Sequence, residues 1–532
     1  MSQPLLPRVA FFCMEYGLAR DLPIYAGGLG ILAGDLLKAA ADLHLPVVGV
    51  GIFWSEGYSV QRVGADGHMV DEFPATPRQG LVPTGALVEV QIRGRNVPVT
   101  AWRLDRPGVA TIYLLEPVAE ADGWITRRLY GGGGEERVAQ EILLGVGGAR
   151  ILAALGVEAE RFHFNEGHAV FAGLELIRAR VAAGASFADA WRAVRRQVVF
   201  TTHTPVAAGN EAHRLDLLGD LGLDRAELEA IGGDPFSMTV AGLRLSSVTN
   251  AVSELHARTA RRMWAEIGDG ASIVAVSNGV HPPTWQDERM RVAYAHGTVW
   301  ETHQRLKREL LDEVRARTGV ALAEDRLLVG FARRAAAYKR SDLLLRDMSR
   351  VGPLLAARRL QVIFAGKAHP HDELGKRILA NLVAAARRHP DAVVFLENHD
   401  LRLGQLLTRG CDVWLNTPRR PMEASGTSGM KAAMNGVLNL SVLDGWWPEA
   451  CAHGRNGWQL GDGFEGPGQD EHDLAALYDV LEGEVIPAYY DDRPRWVGMM
   501  RAAIETAQWR FSSYRTLEDY YRHVYSPSRA AG

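Results

Sequence analysis

Along the chain, short runs of apolar and β-branched residues alternate with longer stretches in which apolar positions recur at three- and four-residue spacing. The runs at 8–13, 46–54, 161–164, 197–201 and 272–276 read as buried strands, and so does a second series at 327–331, 360–365, 392–396, 412–415 and 436–443. The stretches between them, such as 139–155, 170–195 and 372–388, are rich in Ala, Leu and Arg and read as crossover helices. Strand and helix alternating through both halves predict two parallel sheets, hence two doubly wound α/β domains rather than a barrel. The chain changes character over 282–319, where His281-Pro282-Pro283 is followed by a charged helical stretch at 301–317, and the boundary is placed near residue 285. An aromatic tail from 494 to 525 carries Trp496, Trp509, Phe511, Tyr514, Tyr520, Tyr521 and Tyr525. It is too apolar to stand in water and is expected to pack back on the body.

Polar clusters follow the apolar runs almost one for one. They are Met14-Glu15, Asn165-Glu166-Gly167-His168, Thr202-His203-Thr204, Ser277-Asn278-Gly279, Arg333-Arg334, Gly366-Lys367, Glu397-Asn398-His399-Asp400, 416–420 and Asp444-Gly445-Trp446-Trp447. Open α/β sheets bind ligands beyond the carboxyl ends of their strands, which is where these clusters fall. The plainer reading, that strand ends meet polar loops, stays open beside it.

Composition narrows the ligand. With 532 residues, 47% of them hydrophobic, there is material for a large core, and 59 basic against 63 acidic side chains leave a formal charge of −4. That balance gives no footprint for nucleic acid or an anionic membrane, and favours a small neutral or anionic ligand. Cys13, Cys411 and Cys451 form neither a disulfide framework nor a metal knuckle, which fits a reducing cytoplasm. The N-terminus lacks the marks of a signal peptide, and no apolar run approaches ~18 residues. His163 and His168 flank Glu166, and His369 and His371 precede Asp372 and Glu373, but neither group has the spacing of a metal motif, so no metal is expected.

Only six lysines occur, Lys38, Lys307, Lys339, Lys367, Lys376 and Lys431. The segment Glu423-Ala424-Ser425-Gly426-Thr427-Ser428-Gly429-Met430-Lys431 sets small and hydroxyl residues before a lysine expected on the following helix. In a protein that otherwise uses arginine, that lysine hints at a Schiff base; a solvated surface lysine is the alternative. Residues 333–340 pack Arg333, Arg334, Lys339 and Arg340 at what reads as a helix start, suited to phosphate or else a solvated helix face. Ala26-Gly27-Gly28-Leu29-Gly30 precedes a helical stretch and offers backbone N–H groups to an anion, or is a plain turn. Gly145-Val146-Gly147-Gly148 follows a helix where a nucleotide fingerprint needs a strand, and reads as close helix packing.

Together these residues resemble the glycogen and α-glucan phosphorylases, in their shorter bacterial branch. The likeness runs from about Ala10 to Tyr525 and rests on residues 22–30, 165–168, 200–205 (Phe-Thr-Thr-His-Thr-Pro), 277–281 (Ser-Asn-Gly-Val-His) and 423–431. The resemblance implies a GT-B fold, in which two Rossmann-like domains, 1–285 and 286–500, face a central cleft and a helical tail, 501–532, returns to the first. It implies phosphorolysis of α-1,4-glucan or maltodextrin by orthophosphate, with retention, to glucose 1-phosphate. Lys431 would hold pyridoxal 5′-phosphate, with Arg333, Thr427, Ser428 and Gly429 around the cofactor. Arg334, Lys339 and Gly28 would hold the substrate phosphate. His203, Asn250, Glu423, Ser425 and Gly426 would contact the glucosyl unit, with Leu29, Glu166, His168 and Tyr338 lining the same pocket. Relatives in the family are often dimers.

The sequence departs from the family's animal members, which have lysine at the position of Arg333, histidine at that of Ala336 and Asn-Tyr-Arg where Asn398-His399-Asp400 stands. Little precedes the first strand, so the regulatory arm is expected to be absent and the hold on long glucan weaker. Two rivals remain at this stage. One is a nucleotide-sugar glycosyltransferase on the same frame. The other is a degenerate homologue that binds glucan or cofactor without turnover.

Overall fold

The computed structural model describes residues 6–206 and 209–526, so the end of the expected tail, 527–532, lies outside the described residues. The chain divides into two units. One gathers the N-terminal segment up to Tyr58, Phe73–Ser277 and the segment from Ser513 onward; the other holds Ser59–Glu72 and Asn278–Ser512.

The first unit is built on a nine-stranded sheet in the order Ile273–Ala275, Val248–Ala251, Val198–Thr201, Arg161–Asn165, Val9–Phe12, Val47–Ile52, Ile112–Pro117, Arg95–Leu104, Leu81–Ile92. The first seven run parallel, and the last two are joined on by antiparallel pairing, so that only Arg95–Leu104 runs against the rest. All five runs expected here form strands. Four strands were not anticipated. Leu81–Ile92 is an edge strand with an alternating, half-exposed pattern and carries a register shift between Pro83 and Leu87, so it lacks a continuous apolar run. Val248–Ala251 is short and half polar, its Thr249 and Asn250 fully buried.

The stretch 170–195 is two helices, Phe171–Ala182 and Phe187–Arg195. They part at Gly184 (φ +97°), and Ser186 caps the second by accepting a hydrogen bond from the Asp189 N–H. Gly145 sits in a π-turn, Leu143–Gly147, where a Cβ would stand 2.6 Å from the Ala172 nitrogen. The glycine run is thus helix packing, as its position after a helix implied.

The second unit holds a six-stranded, fully parallel sheet in the order Val393–Leu396, Leu360–Ala365, Leu327–Ala332, Val413–Asn416, Leu438–Val442, Gly457–Leu460. Leu327–Ala332 and Leu360–Ala365 are buried at every position, which is why they read as unbroken apolar runs. In chain order the strands lie 3-2-1-4-5-6, and the order reverses between Leu327–Ala332 and Val413–Asn416. In the first sheet it reverses between Val9–Phe12 and Arg161–Asn165. These two switch points are where doubly wound sheets open a crevice for ligand.

A hairpin, Val60–Val63 and Met69–Glu72, comes from the N-terminal third of the chain yet belongs to the second unit. There the Gln61 carboxamide pairs with the Ala368 backbone: Oε1 accepts the N–H at 2.9 Å and Nε2 donates to the carbonyl at 3.2 Å. The tail is divided. Arg493–Ala507 packs in the second unit, with Trp496 against Trp458, while Tyr520, Tyr521 and Tyr525 enter the core of the first. Trp509, at the turn between these parts, is 56% exposed, contrary to the expectation of a wholly packed tail.

Candidate functional site

In the second unit the switch point gathers the cations. The strand Leu327–Ala332 ends into Arg333 and Arg334, but residues 333–340 hold only a single 3-10 turn, Ala337–Lys339, so the expected helix start is absent. Nor is it a solvated face. Arg340 is fully buried and spent on Asp473, Asp470 and the carbonyls of Thr417 and Pro418, which makes it a structural cation. Arg334 is exposed. Arg333 Nη2 and Lys339 Nζ converge on one oxygen, Glu423 Oε2, at 2.8 and 2.9 Å. Burial acts to raise the Glu423 pKa, but the two cations outweigh it and hold the carboxyl down to about 2. The Tyr338 ring lies 4.8 Å from the Lys339 ammonium.

Behind Glu423, Asp444 Oδ2 accepts the Glu423 N–H at 2.9 Å and Oδ1 accepts that of Gly445 at 2.8 Å. Burial pushes the Asp444 carboxyl up to about 7. Gly445 has φ +57°, and a Cβ there would meet the Ser425 carbonyl oxygen at 2.3 Å, so this turn requires glycine.

Gly426 is left-handed (φ +82°) and starts the helix Thr427–Met434 without a side-chain cap, leaving its first amides to other acceptors. Lys431, one turn in, is 6% exposed, and its ammonium stands 3.7 Å from the centre of the Trp285 ring. The surface-lysine alternative is thereby removed. Two of the expected cofactor contacts have packing roles. The Ser428 hydroxyl accepts a hydrogen bond from Trp414 Nε1 at 3.1 Å, and a Cβ on Gly429 would lie 2.6 Å from Asn439 Oδ1, while its N–H is closed onto the Gly426 carbonyl. Among the described residues, Ser425 Oγ and Asn398 Oδ1 are buried without hydrogen-bond partners. His399 is held neutral, down to about 4, by burial and by the charge of Lys367, and Asp400 caps the helix Leu401–Gly410.

In the first unit the helix Gly28–Asp42 begins inside the glycine run rather than after it, and Gly27 and Gly28 face open space. Leu29 is partly buried against the core. Glu15 Oε2 accepts the N–H groups of Ala26 (2.6 Å) and Gly27 (3.2 Å), and the Tyr130 hydroxyl donates to Oε1 at 2.8 Å. Glu166 is strained at φ +75°, and its carboxylate accepts from the N–H groups of Gly167 and His203 and from the Thr204 hydroxyl. His203 Nε2 is 2.7 Å from Asn165 Oδ1. Burial and neighbouring imidazoles press His203 down to about 3, and burial and Arg137 do the same for His168. Among the described residues, His168 Nδ1, Thr202 Oγ1 and His256 Nε2 are buried without hydrogen-bond partners.

Asn250 is a correction. It is fully buried, its Oδ1 accepts the Thr201 hydroxyl at 2.6 Å and its amide turns to Tyr520, so its side chain belongs to the core.

Among the described residues one group, Glu141, Glu211 and His213, has ligand atoms within 4.8 Å of one another. Arg137 lies against both carboxylates and His213 bonds Glu141 at 2.7 Å, so this cluster carries its own counter-charges. It was not legible in the sequence, because Glu141 lies far along the chain from Glu211 and His213.

A family model described as carbohydrate phosphorylase matches residues 290–450. The maltodextrin phosphorylase of Thermococcus litoralis is 37% identical over 98% of this chain and 71% of its own length. The glycogen phosphorylase of Mycobacterium tuberculosis is 39% identical over 99% and 72%, and that of Aquifex aeolicus 36% over 97% and 86%. This chain belongs to the carbohydrate phosphorylase family. The stretch matched by the phosphorylase model contains Arg333, Lys339, Glu423 and Lys431 together. Asn165, His256, Glu15, Trp285 and Asp444 were given no role from the sequence. Asn165, Glu15 and Asp444 lie in strand-end clusters, which was the available signal; Trp285 and His256 lie on helices and gave none.

Proposed function

We propose that this chain is an α-1,4-glucan phosphorylase, a pyridoxal-phosphate-dependent glycosyltransferase. It moves the terminal glucose of glycogen or maltodextrin to orthophosphate with retention, releasing glucose 1-phosphate. The observation that carries the reading is Lys431: a buried amine against the Trp285 ring, one turn into a helix that starts without a side-chain cap.

The residues fit the cofactor. The Trp285 face lies under the amine, Ser425 Oγ and Asn398 Oδ1 are buried acceptors and donors awaiting partners, and the helix start and Arg333 suit a phosphate monoester. Lys431 would anchor the cofactor aldehyde, with Arg333 and the backbone at Thr427 and Ser428 on its phosphate and Gly429 giving the close packing. When bound, the cofactor supplies a second phosphate whose pKa near 6 suits proton exchange at neutral pH.

Arg334, Lys339 and the Gly28 amide hold the substrate phosphate in this reading, neutralising the repulsion between two phosphates. Glu423, its Oε2 already held by the two cations and its backbone N–H by Asp444, would contact sugar hydroxyls, with Ser425 and Gly426 beside it. His203, His168, Glu166, Leu29 and Tyr338 line the glucosyl pocket. The enzyme works in the cytoplasm in this reading, with no metal, nucleic acid or membrane in the reaction.

The test is phosphate-dependent release of glucose 1-phosphate from maltodextrin by protein reconstituted with pyridoxal phosphate. Release that is lost in Lys431→Ala is expected. Glucosyl transfer from a nucleotide sugar without orthophosphate would overturn the reading.

A further inference from the structure

The Asn165-Glu166 dipeptide holds His203 from two directions. Glu166 Oε2 takes the His203 N–H at 2.8 Å and the Thr204 hydroxyl at 3.1 Å, which fixes the backbone. The ring is fixed separately. Asn165, at the end of the strand Arg161–Asn165, turns its amide to Cys13 Sγ at 3.2 Å and its carbonyl oxygen to His203 Nε2 at 2.7 Å. Register explains the first contact, since Phe164 pairs with Phe12 and so sets Asn165 beside Cys13. Cys13 is fully buried, burial pushes its thiol pKa up to about 12, and its sulfur accepts from the Asn165 amide. A carboxamide oxygen is an acceptor only, so the partner nitrogen must carry the proton.

We propose that Asn165 is a positioning residue that locks His203 in the tautomer protonated on Nε2, leaving Nδ1 as a hydrogen-bond acceptor for a donor hydroxyl of the bound sugar. The claim about the ring stands on geometry, and only its sugar rests on the phosphorylase reading. Nδ1 makes no hydrogen bond among the described residues, and with its pKa pressed to about 3 the ring stays neutral at working pH. A site that offers an acceptor there selects a hydroxyl and rejects both a deoxy sugar and one carrying fluorine, which has no proton to give.

The experiment is nitrogen NMR of holoenzyme labelled at histidine, with the His203 signals assigned by their loss in His203→Gln. A protonated Nε2 and a bare Nδ1 are expected in the wild type, a state kept in Asn165→Asp and lost to tautomer exchange in Asn165→Leu. Asn165→Leu should also raise KM for glucose 1-phosphate about tenfold, the worth of one hydrogen bond, with a smaller fall in kcat. A proton on Nδ1 in the wild type, or averaged ring signals there, overturns the proposal without any variant having to fold. The spectrum reads the tautomer in either case; absence of glucose 1-phosphate turnover would refute the reaction and leave the tautomer result standing.

Discussion

Replacing Glu423 by Gln removes one negative charge from a place where two cations, each under one-tenth exposed, converge on it. Burial pulls the Glu423 pKa up, yet Arg333 and Lys339 bring it from an ordinary 4.5 to about 2. A displacement of that size corresponds to roughly 3 kcal/mol of folding stability. The folded-state pKa lies below the unfolded one, so the contribution is complete above about pH 4.5 and is lost as pH falls toward 2. At pH 7, Glu423→Gln should therefore lower the melting transition of the second unit by roughly 6–12 °C, at about 2–4 °C per kcal/mol for a unit of this size. Orthophosphate should restore much of the loss, because an anion at about 100 times its Kd contributes about 2.7 kcal/mol and meets two cations that lack a counter-charge. The assay is scanning calorimetry of wild type and variant at pH 7 and between pH 3 and 5, with and without phosphate. A variant that melts within about 1 °C of wild type, with the acid limb unchanged, would refute the electrostatic reasoning.

Gly445→Ala places a Cβ 2.3 Å from the Ser425 carbonyl oxygen at φ +57°; it should cost more than about 1 kcal/mol and weaken retention of pyridoxal phosphate in equilibrium dialysis. Asp412→Asn leaves the fully buried Lys307 without its counter-ion at 2.6 Å. A loss of about 3–5 kcal/mol by calorimetry is expected, with kcat unchanged where the variant stays folded. Asn250→Ala removes a core hydrogen bond and should cost about 1–3 kcal/mol while leaving KM for glucose 1-phosphate within about twofold; a rise of about tenfold would return Asn250 to the sugar pocket.

The fold was legible wherever burial on both faces makes a strand an unbroken apolar run, as at Leu327–Ala332 and Leu360–Ala365. It was not legible at Leu81–Ile92 and Arg95–Leu104, whose alternating exposure suits an antiparallel edge, nor at Val248–Ala251, half of which is polar. Adjacency in sequence also misleads about adjacency in space: the hairpin at Ser59–Glu72 joins the second unit, and the tail is shared between both. At the site, residue type and position after a strand drew attention to Arg333, Lys339 and Glu423, which meet in space, and to Lys431, which is buried. They did not separate Arg333 and Lys339, which meet Glu423, from Arg340, which is buried on Asp473 and Asp470, because charge alone carries no burial. Asn250 failed for the same reason, since a carboxamide in a motif reads alike whether it meets a sugar or the Thr201 hydroxyl.

The amine of Lys431 is the most direct point of attack. Purified protein reconstituted with pyridoxal phosphate is reduced with borohydride, and the labelled peptide is mapped by mass spectrometry, with Lys431→Ala as the control. A pyridoxyl adduct on Lys431, accompanied by a shift of the cofactor absorbance and absent from the variant, is the predicted result. An adduct on another lysine, or none after reconstitution, would contradict the assignment of the buried lysine, and with it the phosphorylase mechanism.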